Sequence, residues 1–154
     1  MQMAAWWGTR AKVSARLQLE VAAMRDTFRD TFRLIVAKGD RLYWAGEVDL
    51  NLAGIPQRRH TLHIVYPTSY PSRAAEAYVR DPEIVSRKHQ FEDGQLCLFN
   101  PRDGKRYGWN PGRSTAVTVA GWAVQWLYAY YTWKATGNWP GLEERIQNNG
   151  RSRP

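Results

Sequence analysis

The only cysteine of the 154-residue chain, Cys97, stands in the short apolar run Leu96-Cys97-Leu98-Phe99. Asp93-Gly94 before the run and Asn100-Pro101 after it are turn signals, so it can be no more than a very short strand or a shelf in a long loop. The thiol is then expected near the surface. A cysteine thiolate is nucleophilic even when little of it is ionised. Cys97 is therefore the candidate nucleophile. A core position is the competing reading for a cysteine between two leucines, because unpaired cysteine is among the most buried residue types. His89, upstream in the same segment, could serve as a general base or fill a structural place.

Other chemistries fit less well. A papain-type hydrolase would also use Cys and His, but His60, His63 and His89 all precede the cysteine and no signature of such a nucleophile surrounds it. One cysteine and three scattered histidines lack the paired spacing of zinc modules, so neither a metal nor a cofactor is expected. Lys+Arg exceed Asp+Glu by 22 to 14, which raises acidic proteins and nucleic acid as partner classes. The basic residues are spread along the chain, with only pairs such as Arg58-Arg59 and Arg87-Lys88, so a solvated basic face comes first and nucleic acid last. A lone cysteine and the lack of a secretory pattern at the N-terminus lead to the expectation of a reducing, cytoplasmic compartment.

The elements that must position Cys97 follow from periodicity. Residues 11–28 carry Val13, Leu17, Val21 and Met24 at helical spacing, with Arg16, Glu20, Arg25 and Asp26 assigned to the outer face. Residues 31–36 and 43–50 read as two strands joined at Lys38-Gly39-Asp40-Arg41, residues 60–66 as a third and residues 74–79 as a fourth. Tyr66-Pro67 and Tyr70-Pro71 form a rigid turn between the last two. Ser114 or Thr115 caps a helix from about residue 116 that ends before Gly137, with Val119, Trp122, Ala123, Trp126, Leu127 and Tyr130 on its buried side. Residues 114–133 carry no charge, which makes a membrane span the competing reading. Thr118, Gln125, Thr132 and the density of Tyr and Trp favour a core helix instead. At this length one domain is expected, over residues 11–142, with residues 1–10 and 143–154 as flexible or unassigned termini.

This order of elements resembles that of ubiquitin-conjugating enzymes. Tyr66-Pro67 with Pro71 matches the family's Tyr-Pro-x-x-Pro turn, His89 the histidine of its His-Pro-Asn motif, Leu96-Cys97-Leu98 the active-site shelf, and Trp109-x-Pro111 the downstream Trp-x-Pro. Gln90-Phe91 stand where the family has Pro-Asn. Within the superfamily the chain looks more like the bacterial members of CBASS antiphage operons, encoded beside a cGAS-like nucleotidyltransferase. The resemblance implies an α+β, UBC-like fold: N-terminal helix, four-stranded antiparallel meander, long active-site loop and C-terminal helices. It implies that Cys97 carries a partner protein's C-terminal acyl group and yields it to a lysine amine or to water, the partner being the nucleotidyltransferase, with a separate activating enzyme where activation occurs. It assigns His89 to loop support, and Tyr66, Pro67, Trp109 and Pro111 to the active-site loop. An oxyanion donor must replace the absent asparagine; Asn100 is the nearest candidate, then Asn110 and main-chain amides near Cys97. A non-catalytic protein of the same fold that only docks a partner is the alternative, and a nucleic-acid-binding module a weaker one.

Overall fold

The computed structural model describes residues 5–51, 54, 59–99 and 108–140. Its order is α1 (Ala15–Phe28), β1 (Phe32–Ala37), β2 (Arg41–Asp49), β3 (Arg59–Val65), β4 (Glu76–Arg80) and α2 (Ala116–Thr136). The strands form one antiparallel sheet in chain order, as a meander must. Period-two burial marks its inner face: Leu42, Trp44, Leu62, Ile64, Ala77 and Val79 are buried, while their strand neighbours, Val65 excepted, are exposed or half-buried. α2 lies against β3, β4 and α1, giving the expected α+β architecture. A single C-terminal helix is present among the described residues, where more than one was expected; residues 141–154 lie outside them.

One register position is fixed by a close approach. Gly46 pairs with Phe32, whose ring covers it so tightly that a Cβ there would fall 2.5 Å from the Phe32 Cδ1.

α2 starts at Thr115, whose hydroxyl accepts from the Val117 amide while its own amide donates to the Thr118 hydroxyl. It stops at Gly137, whose φ of 82° only glycine adopts without strain. Its buried stripe includes the expected Val119, Ala123, Trp126 and Leu127, but is completed by Ala116, Ala120 and Ala129. Trp122 and Tyr130 are only half-buried, because alanines on the inner line bring the helix axis close and leave the large rings at its flanks. No helix among the described residues is long and apolar enough to cross a membrane.

α1 and the segment before it depart from expectation in three ways. Ser14, which accepts from the Leu17 amide, caps it, so it begins at Ala15 and Val13 lies outside it and exposed. Its buried residues are Leu17, Glu20 and Met24, so Glu20 is an inner-face residue. The Trp6-Trp7 pair, placed by sequence in an unassigned terminus, belongs to the core: Trp7 is buried, and the Trp6 ring sits 4.8 Å from both Tyr66 and Tyr70.

Candidate functional site

Cys97 lies on a miniature hairpin. The Phe91 amide donates to the Gln95 carbonyl (2.8 Å) and the Cys97 amide to the His89 carbonyl (2.9 Å), on either side of a bridge between Gln90 and Leu96. The turn is closed by the Gly94 amide on the Phe91 carbonyl, with Gly94 at φ 94° and the Asp93 carboxylate accepting from the Gln95 amide. Side chains directly opposite in an antiparallel pair share a face, and so do residues two apart. Cys97 and Phe91 therefore occupy one face of the hairpin and Leu96 the other, while His89 meets Cys97 through its carbonyl. Exposure agrees: Leu96 and Leu98 are 2% and 5% exposed, Cys97 is half-buried and Phe91 is 55% exposed.

The second limb of this hairpin is stitched to the sheet. The Leu96 amide donates to the Ala77 carbonyl (2.9 Å) and Gln95 bridges Tyr78, so the limb continues the sheet beyond β4. The Tyr78 hydroxyl reaches toward Glu76 and Asp93 at 3.4 and 3.5 Å; burial first, then these two carboxylates, pushes its pKa up to about 12. On the first limb, Gln90 takes three partners. Its Oε1 accepts from the Ser86 amide (2.6 Å), and its Nε2 donates to the Ile84 and Gly94 carbonyls. Gln90 thus closes the segment of residues 84–94 on itself.

His89 has left-handed backbone at φ 57°, and its carbonyl takes a second donor, the Trp126 Nε1 of α2, at 2.8 Å. Its ring stands edge-on to Trp139 at 4.7 Å. The amides of Leu96 and Cys97 are already spent on Ala77 and His89, so neither serves as an oxyanion donor. The Asn110 side-chain oxygen accepts from the Gly112 amide in a local turn. Asn100 lies outside the described residues. The remaining histidines have other surroundings: buried His60 donates from Nδ1 to the Pro82 carbonyl and accepts at Nε2 from Tyr131, and His63 lies on the outer sheet face against Tyr43.

Tyr66, Pro67, Trp109 and Pro111 are gathered with one another around a buried carboxylate. Glu20, 0% exposed, accepts from the hydroxyls of Tyr66 (2.8 Å) and Tyr70 (2.5 Å), from the Ala116 amide at the start of α2 (2.9 Å) and from Arg16 (3.1 Å). Arg16 also donates to the carbonyls of Pro111 (2.9 Å) and Ser114 (2.8 Å). Trp109 donates from Nε1 to the Pro71 carbonyl at 2.7 Å, the Pro67 carbonyl accepts from the Tyr70 amide, and Trp44 donates to the Tyr66 hydroxyl. Burial, reinforced by the Glu20 charge, pushes both tyrosine pKa values well above the ordinary phenol range, so both remain donors. Burial alone would lower the Arg16 pKa, but its contacts with Tyr70 and Glu20 raise it overall.

The structure thus pairs His89 with Cys97 and gathers the other four expected residues in a second cluster; α2 touches both. Its first residue, Ala116, binds Glu20, and Trp126 binds His89, about 15 Å along the axis at 1.5 Å per residue. Sequence reasoning did not single out Arg16, Tyr70, Gln90 or the Trp126–His89 contact. A signal existed for Glu20, which is three residues after Leu17 and four before Met24 and therefore on the apolar stripe.

Comparison with known proteins gives one family: that described as "Type II CBASS E2 protein" matches residues 20–146. No curated protein matches. Among solved structures, "A complex of the Vps23 UEV with ubiquitin" superposes with a TM-score of 0.46 at 13% identity, covering 73% of this chain and 81% of that one.

Proposed function

The chain belongs to the type II CBASS E2 proteins, and from that membership we propose that Cys97 is a thioester-forming nucleophile for the C-terminal acyl group of a partner protein. The Cys97 thiolate attacks the carbonyl carbon of an acyl group already activated on another chain; the C–S bond forms as the bond to the leaving group breaks. A lysine amine of the acceptor then attacks the same carbon, forming C–N, breaking C–S and releasing the amine proton and the thiolate. Water in place of the amine returns the carboxylate. The partner is the cGAS-like nucleotidyltransferase of a CBASS operon, and a separate activating enzyme supplies the activated acyl group.

The observation that carries this reading is the alternation at the shelf: both leucines turn into the core while the cysteine between them is only half-buried. His89 acts as loop support, a role favoured by its carbonyl holding both the Cys97 amide and the Trp126 indole. Asn100 acts as the oxyanion donor in place of the family's asparagine. Loss of one such donor costs roughly 10²–10³-fold in rate elsewhere, and Asn100→Ala is expected to fall in that range. The docking-only alternative draws support from Phe91, an exposed ring with no donor at the position of that asparagine.

The test is adduct formation with the nucleotidyltransferase and activating protein of the operon. Wild type is expected to give a reductant-sensitive adduct and Cys97→Ser a reductant-resistant ester. If neither variant forms an adduct with partners that still bind, Cys97 is not a nucleophile and the protein only docks.

A further inference from the structure

The two edges of the sheet are treated differently. Residue partners in β2 and β3 sum to a constant register that pairs Leu42 with Tyr66, and the Tyr66 amide donates to the Leu42 carbonyl. Main-chain groups alternate sides along a strand. Leu42, Trp44 and Gly46 therefore bond toward β3, and Arg41, Tyr43 and Ala45 toward β1, where their partners are Ala37, Ile35 and Arg33. That leaves the amides and carbonyls of Phe32, Leu34 and Val36 facing away from the sheet. The same parity turns Ala77 of β4 outward, and its carbonyl does receive the Leu96 amide. The β4 edge is thus occupied by the Cys97 hairpin, whereas the β1 edge takes no strand among the described residues.

Beside the open edge, between α1 and β1, lies a groove of about 720 Å³. Val21, Phe32, Leu34 and Trp44 give it an apolar lining, and Arg25, Arg29 and Asp30 line it as well. Arg33, also at this edge, alternates to the opposite face. Among the described residues no carboxylate forms an ion pair with any of the three arginines. A second copy docking through β1 would set these arginines against their own likenesses, a recognised device against edge pairing. An acidic chain meets the opposite sign, and an extended one meets the outward main-chain groups.

We propose that the β1 edge and the adjoining groove receive an extended acidic segment of a partner protein, which adds to the sheet as a strand. Its main chain pairs with Phe32, Leu34 and Val36; on the face toward α1 an apolar side chain enters the groove and a carboxylate two residues away meets Arg25 and Arg29, while a carboxylate on the opposite face meets Arg33.

The test uses the full chain and a fluorescein-labelled peptide of repeated Asp-Asp-Val-Asp, which as a strand carries aspartate on both faces and valine alternating with aspartate on one, read by anisotropy. Binding is expected to weaken with added salt and to fall at least tenfold in Arg25→Glu/Arg29→Glu. N-methylation of alternate peptide amides is expected to abolish it. Val36→Pro removes an outward amide but no bond to β2 and is expected to lose the peptide, whereas Val36→Ala, which gives up similar packing against the core but keeps the amide, is expected to retain it. No binding at low salt, or equal binding of the N-methylated peptide, overturns the proposal. Equal competition by a single-stranded oligonucleotide would likewise overturn it, showing a site that reads charge alone. Adduct formation at Cys97 is measured separately, and neither outcome depends on it.

Discussion

Replacing Glu20 by alanine tests whether the buried carboxylate holds the second cluster together. The substitution strands the Tyr66 and Tyr70 hydroxyls and the Ala116 amide, whereas Arg16 keeps the carbonyls of Pro111 and Ser114. Each stranded buried donor costs about 1–3 kcal/mol, and removing one partner of a buried ion pair costs about 3–5 kcal/mol in measured cases. Partial relaxation and water entry keep the three losses from adding in full, so a loss of about 4 kcal/mol is expected for Glu20→Ala. That is a large part of the roughly 5–15 kcal/mol available to a domain. With a urea slope of about 2 kcal/mol/M, the unfolding midpoint should fall by about 2 M. Glu20→Gln keeps an acceptor for some of these donors and should lose about 1–3 kcal/mol. In a double-mutant cycle with Tyr66→Phe, the pair should lose less than the sum of the singles, by about 0.5–3 kcal/mol. A midpoint shift below about 0.5 M at unchanged slope, or strict additivity with Tyr66→Phe, would refute the idea that Glu20 is the shared acceptor.

Three further outcomes follow from other contacts. Gln90→Ala removes the partners of Ser86, Ile84 and Gly94, so amide exchange over residues 84–94 should quicken and adduct formation at Cys97 should slow, with little change in the global unfolding midpoint. Tyr66 and Tyr70 have raised pKa values when folded and ordinary ones near 10.0 when unfolded; the unfolded chain therefore ionises first as pH rises, and stability present below that value should decline above it. Urea midpoints between pH 8 and 11 should fall less in the Tyr66→Phe/Tyr70→Phe variant than in wild type. Gly46→Ala forces the Phe32 ring off its place and should cost about 1–3 kcal/mol by urea unfolding, with much of the loss removed when Phe32 is shortened to Leu.

What could be read in advance was what local chemistry determines. The α2 limits were legible because Thr115 caps and Gly137 stops, and the meander because alternating apolar residues are punctuated by turns. A carboxylate is ordinarily exposed, which outweighs the place of Glu20 on the apolar stripe; the hydroxyls that satisfy it in burial lie 46 and 50 residues away in the sequence, and no local pattern names them. Trp6-Trp7 was missed for the same reason, since the surface that covers it is made by Tyr66 and Tyr70. Around Cys97 the turns were legible, but the strand pairing with His89 was not, because the bridge is a single residue pair set by the Gln90 side chain. Asn100 could be nominated from sequence alone and lies outside the described residues.

Because Ala116 and Trp126 of α2 touch the two clusters, the helix acts as a gauge of fixed length between the Tyr-Pro turn and the cysteine hairpin. One residue inserted between them would advance Trp126 by 1.5 Å and swing it by about 100° around the axis, away from the His89 carbonyl. An insertion beyond Lys134 would leave both anchors in place. In this chain the spacing of two contacts, more than the identity of the residues between them, sets how far the first turn of α2 can be moved before the cysteine hairpin moves with it.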